Sequence, residues 1–156
     1  MSLKFFASTL AAVMMMATSV QANPGERISR EYAVSPDHPA VDPSYIERRV
    51  IEYFHDIPVM IAIASCESDF RQFDEDGLLL VNQNPKSTAS GVFQILYITH
   101  KDVWSQNDET NITTLEGNLA FARMMYEQSG TVPWNPSHSC WKSRIGRYEH
   151  RVASLR

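Results

Sequence analysis

The sharpest change from apolar to polar positions falls in residues 57–70, IPVMIAIASCESDF. Residues 59–64 are apolar without a break, and a helix that is apolar on every side is one buried in the middle of a domain. Asp56 is a suitable N-cap, and Pro58 fits the first turn, where a missing N–H costs nothing. The run ends in Cys66, Glu67, Ser68 and Asp69. Met60, Ile63, Ala64 and Glu67 follow the i, i+3, i+4, i+7 rule, so Glu67 shares a face with three core residues. Its carboxyl then sits at the edge of the core. Partial desolvation there disfavours the ionised form and raises the pKa toward what a general acid needs near neutral pH. Taken alone, the stretch reads first as an ordinary solvated helix end.

Weaker patterns flank it. Asp42-Pro43 opens a helix with Tyr45, Ile46, Val50, Ile51 and Phe54 as its inner stripe and Glu47, Arg48, Arg49 and Glu52 outward. Thr113 or Thr114 caps another, with Leu115, Leu119, Ala122, Met125 and Tyr126 at helical spacing and Gly130 as its stop. Between them, residues 71–90 are polar and turn-rich, with one short strand expected at 78–81. Asp74, Glu75 and Asp76 read as a solvated turn, since the run lacks the alternating ligands and distant Glu of a calcium loop. Residues 90–95, SGVFQI, are apolar around one amide: Gly91 permits close backbone approach, and Gln94 is either a satisfied core amide or a cleft-facing group. A short helix is expected at 100–106, and Arg144, Arg147, Arg151 and Arg156 give the C-terminal helix a basic face. Residues 23–41 contain Pro24, Gly25, Pro36 and Pro39 with no apolar period, and read as an extended leader over the domain surface.

The N-terminus adds a compartment. Residues 1–22 carry one positive charge (Lys4), an apolar stretch at 10–17 and the small-x-small ending Val20-Gln21-Ala22. This is the pattern of a secretory signal peptide cleaved after Ala22, too short for a comfortable membrane span. Export to the periplasm or outside the cell follows, with no stable membrane insertion after cleavage. The mature chain keeps 134 of 156 residues, the size of one domain. Cleavage removes Lys4 and no acid, so 14 basic against 18 acidic residues become 13 against 18, a net charge of −5. That argues against nucleic acid, which asks for a basic footprint. Cys66 and Cys140 both survive, and an isolated pair in an exported protein points to a disulfide. His38, His55, His100, His138 and His150 show no zinc spacing, and Walker, G-x-S-x-G and G-x-G-x-x-G motifs are absent. Carboxylate chemistry is what remains.

Three stretches in order, ESDF at 67–70, SGVFQI at 90–95 and NITTLEGNLAFARMMYEQSG at 111–130, resemble the lytic transglycosylase branch of the lysozyme superfamily. That family's motifs have the form E-S-x-F, G-x-x-Q-[IL], and N-I followed by a Gly-containing helix; the resemblance covers roughly 44–141. It implies a mainly α, lysozyme-like domain at 42–156, with a small β and loop subregion flanking a glycan cleft. By the resemblance Glu67 would be the catalytic acid and base, with Ser68 and Gln94 positioning the substrate; Gly91, Phe93, Tyr126, Trp134 and Asn135, read from the residues themselves, complete the candidate substrate-binding set. The substrate would be peptidoglycan glycan strands, cut between N-acetylmuramic acid and N-acetylglucosamine with a 1,6-anhydro product, without metal or cofactor. The chain departs from the family at 131–141, TVPWNPSHSCW, where relatives carry Ala-Tyr-Asn-x-Gly with a Tyr aimed at the Glu. Trp134 and Trp141 either stack on sugar rings or pack the C-terminal helix. Two rivals stand beside this reading. One is a hydrolytic lysozyme recruiting Asp74 or Asp76, the other a non-catalytic wall-binding or assembly protein of the same fold. The identity of any cell-envelope machinery that it serves is left open.

Overall fold

In the computed structural model, which describes residues 23–84 and 86–155, the helix that holds the apolar run at 59–64 lies at the centre of the core. The signal-peptide reading of residues 1–22 lies outside the described residues. In chain order the helices are α1 (Pro24–Glu31), α2 (Pro43–Tyr53), α3 (Pro58–Glu67), α4 (Lys101–Trp104), α5 (Leu115–Ser129) and α6 (His138–Ala153). Two short strands, β1 (Ala89–Ser90) and β2 (Ile95–Leu96), form an antiparallel pair with Ala89 opposite Leu96 and Ser90 opposite Ile95. The protein is therefore mainly helical with a small β element. No described helix is long and apolar enough to cross a membrane.

Helix α3 is buried as its composition requires: Met60, Ile61, Ala62, Ile63 and Ala64 are each 0% exposed. Its start differs from expectation. Ile57, not Asp56, is the N-cap residue, and no side chain caps it. The Asp56 carboxylate instead takes a two-point ion pair from Arg123 of α5, with Nη2 at 2.7 Å and Nη1 at 3.1 Å. A long-range partner has outcompeted the local cap. Arg123 holds the Asp56 carboxyl below its ordinary range.

Helices α2 and α6 pack directly on α3. Helix α2 begins as expected, with the Asp42 carboxylate accepting from the Ser44 N–H at 2.8 Å. Ile46, Val50, Ile51 and Phe54 are buried, but Tyr45, expected among them, is exposed. Thr114 caps α5, its Oγ1 accepting from the Gly117 N–H at 3.1 Å, and Gly130 ends the helix at φ 59°. Gly117 is obligatory here: a Cβ on it would lie 2.1 Å from the Asn111 carbonyl oxygen. Helix α6 makes the most extensive packing against α3 and turns Trp141, Tyr148 and Val152 inward. The Cys66–Cys140 disulfide, with Cα atoms 6.1 Å apart, joins the end of α3 to the first turn of α6.

Two further expectations are corrected. Residues 23–41 are not an extended leader: Asn23 caps α1, accepting from the Glu26 N–H at 2.9 Å, and Pro24 occupies the first turn. The Pro that looked like a breaker is a helix starter. This segment is tied down by Ser29, whose Oγ donates to the Leu79 carbonyl at 2.7 Å, and by the Tyr32–Tyr97 hydroxyl pair at 2.9 Å. The expected strand at 78–81 supplies only isolated bridges, Phe73 with Leu79 and Val81 with Ser90, because its N–H and C=O groups are divided among three different segments.

Candidate active site

Glu67 is the last residue of α3 and is half-buried. Its helix packs on apolar neighbours, so the carboxyl loses water, and this burial raises its pKa above the ordinary 4.5. A hydrogen bond from Ser137 opposes part of that rise. The carboxyl opens onto a cleft of about 730 Å³. Its lining combines polar side chains, among them Asn82, Ser87 and Gln94, with apolar ones, among them Val103, Phe121, Met124 and Met125. Such a lining suits a ligand with polar edges and apolar faces.

Among the described residues, Glu67 is the one carboxylate that lines this cleft. The neighbouring acids are directed elsewhere. Asp69 has φ 54°, off the helix, is exposed, and borders a smaller groove with Arg144 and Arg147. The Asp74 carboxylate is folded onto its own loop, accepting from the N–H groups of Asp76 (3.0 Å) and Leu78 (2.9 Å). Asp76 is exposed. His100 is the other titratable side chain in the cleft; its ring lies 5.4 Å from that of Phe121, and burial lowers its pKa. No group of three or more His, Cys, Asp or Glu among the described residues is arranged to hold a metal ion.

The substrate-binding set divides. Gln94 and Trp134 line the cleft with Glu67. Gln94 is held at φ 49°, its Nε2 donating to the Gly91 carbonyl at 3.0 Å. Trp134 is buried, its Nε1 donating to the Phe93 carbonyl at 3.0 Å, so only part of its ring is available to a ligand. Trp141 packs, as one of the two readings had it: it is buried beneath, its Nε1 donating to the Trp134 carbonyl at 2.9 Å. Phe93 is fully buried between Phe54 and Trp134 and supports the cleft without lining it.

Ser68, Gly91, Tyr126 and Asn135 do not line the cleft. Ser68 is buried; its Oγ reaches the Val92 carbonyl at 2.8 Å and accepts from the Arg71 N–H at 3.1 Å, fastening the end of α3 to the loop at 91–94. Gly91 (φ 70°) is buried in that loop, and a Cβ there would lie 2.4 Å from Asn118 Nδ2 and 2.5 Å from Gln72 Oε1. These two fully buried amides hold the loop: Gln72 Oε1 accepts from the Val92 N–H at 3.1 Å, and Asn118 Oδ1 from the Phe93 N–H at 3.0 Å. Tyr126 packs against the core on α5, and Asn135 is exposed. Gly91→Ala should therefore destabilise the protein by about 2–4 kcal/mol through left-handed strain and overpacking, measured by urea denaturation. A change under about 0.5 kcal/mol would show that the amide clamp yields.

Sequence reasoning missed Ser137. It stands at the N-cap of α6 yet makes no capping bond; its hydroxyl goes to Glu67 Oε1 and to the Trp134 carbonyl. A Ser just before a helix is read as a cap, and nothing local signals a partner 70 positions earlier. Asn118 and Gln72 were missed as well, since a buried amide in a helix or loop carries no spacing rule.

Comparison with protein-family models, with curated proteins and with solved structures finds no match for this chain.

Proposed function

We propose that this is an exported enzyme of lysozyme-like fold that cuts the glycan strands of peptidoglycan by transglycosylation, with Glu67 as both acid and base. The observation that carries the reading is a solitary carboxyl, half-buried and with its pKa raised, in a cleft that no other described carboxylate lines. Ordinary retaining and inverting glycosidases need a second carboxylate, about 5–5.5 Å or 6.5–9.5 Å from the first. One carboxyl suffices if the substrate supplies its own nucleophile. Protonated Glu67 gives its proton to the glycosidic oxygen as the bond from the muramoyl C1 breaks. Ionised Glu67 then takes the proton of the muramoyl 6-hydroxyl as that oxygen bonds to C1 and closes the 1,6-anhydro ring. The proton count returns to its start and no water is consumed.

The order of ESDF, SGVFQI and the 111–130 segment supports the same reading, as does the presence of Gln94 in the cleft that Glu67 lines. The disulfide fits an oxidising compartment. A hydrolase built on Asp74 is disfavoured because that carboxylate is engaged by its own loop.

The purified protein should clear a gel that contains peptidoglycan and release soluble glycan fragments from isolated cell walls. Binding to those walls without any release would instead make it a non-catalytic wall protein.

A further inference from the structure

We infer that Ser137 is the positioning residue for Glu67: its hydroxyl donates to Oε1, so that Oε2 is the oxygen that delivers and recovers the proton. This rests on the reading of Glu67 as alternating acid and base. Ser137 does not line the cleft, so it acts through the carboxyl and not on the substrate.

A hydroxyl carries one proton. The Ser137 oxygen is placed between two acceptors, Glu67 Oε1 and the Trp134 carbonyl at 3.1 Å. The Trp134 carbonyl already takes a hydrogen bond from Trp141 Nε1 at 2.9 Å. It is thus satisfied without Ser137, whose proton is free for Glu67. The helix makes no competing claim, because Ser137 makes no capping bond. Oε2 has no hydrogen-bond partner among the described residues. One carboxyl oxygen is therefore pinned and the other left open, and the pinning bond becomes charge-assisted as Glu67 ionises.

Among the described residues, no other charged side chain makes a hydrogen bond or ion pair to the Glu67 or Ser137 side chain. On α6, Arg144 Nη1 donates to the Ser65 carbonyl at 2.9 Å, and His138 lies edge-on to Trp141. On α5, Arg123 pairs with Asp56 and Glu127; on α2, Arg49 pairs with Glu52 and Glu116, and Glu47 with Arg151. Asp69 borders the smaller groove, and His100 is the remaining titratable group lining the cleft among the described residues.

The test is a ¹³C NMR titration of the Glu67 side-chain carboxyl in wild type, Ser137→Ala and Ser137→Thr, with rate–pH profiles on peptidoglycan for all three. Loss of a donor to the carboxylate should raise the Glu67 pKa in Ser137→Ala, move the alkaline limb of the profile to higher pH and cut the rate about tenfold. Ser137→Thr, which keeps the hydroxyl, should return both toward wild type. If Ser137 instead accepts from the protonated acid, removing it lowers the pKa; a fall, or no change, overturns the inference. The titration needs no activity. A raised pKa in a protein that leaves peptidoglycan uncut would keep the positioning role and discard the proposed reaction, whereas a cleaving wild type with an unmoved pKa would do the reverse.

Discussion

Glu67→Gln should lose at least 10²–10⁴-fold in glycan cleavage, the usual worth of general acid catalysis, while remaining folded. The amide keeps the shape of the carboxyl and an oxygen to accept from Ser137, but it has no proton to deliver. The same substitution should stabilise the protein at neutral pH. Burial raises the Glu67 pKa, so the native state favours the protonated form. At pH below the ordinary value of 4.5 both native and unfolded states are protonated, and the full contribution of the acid form is present. That contribution is lost as pH rises through the folded-state pKa, because the carboxyl must then ionise where water is scarce. Gln never ionises. Its advantage in Tm should thus be small near pH 4 and grow toward pH 7. A folded variant that retains more than about a tenth of the wild-type rate would remove Glu67 from its role.

Removing the Cys66–Cys140 disulfide by a double Ser substitution should cost about 4 kcal/mol, as the chain-entropy treatment gives for a closed loop with a sequence separation of 74. The loss has a functional side. Cys66 precedes Glu67 on α3, and Cys140 lies three residues beyond Ser137 on the other side of the pair. The bridge therefore ties together the two segments whose side chains meet at the carboxyl. Urea denaturation of the exported protein, oxidised and reduced, measures the effect; a difference below about 1 kcal/mol would show that α3 and α6 hold their packing without it.

The elements that were legible in advance are those governed by local rules. The unbroken apolar run of α3, the Asp42 and Thr114 caps and the Gly130 stop all follow from neighbours within a turn. The i, i+3, i+4, i+7 spacing put Glu67 on the core face of that helix, but the stretch by itself read first as a solvated helix end, and it was the resemblance that singled the carboxyl out. What escaped depends on partners far away in the chain. Asp56 gave up a cap for Arg123, and Ser137 for Glu67, each across 67 or more positions. Helix α1 was hidden because its eight residues bury a single large aliphatic side chain, Ile28, too little apolar pattern to mark a helix beside Pro24 and Gly25. Gly91 and Ser68 were singled out for the substrate-binding set, and neither lines the cleft. Their role is internal, in the clamp made by Gln72 and Asn118 and the tie from α3 to Val92, and not in contact with a ligand.

The claim that one carboxyl performs the whole reaction is tested most directly by mass spectrometry of the muropeptides released by the wild-type protein. Transglycosylation adds no water, so the account predicts that 1,6-anhydro products, lighter by one water molecule than hydrolytic ones, dominate the digest. Dominance of the hydrolytic masses, together with loss of activity in Asp74→Asn or Asp76→Asn, would establish a second catalytic carboxylate and contradict the mechanism.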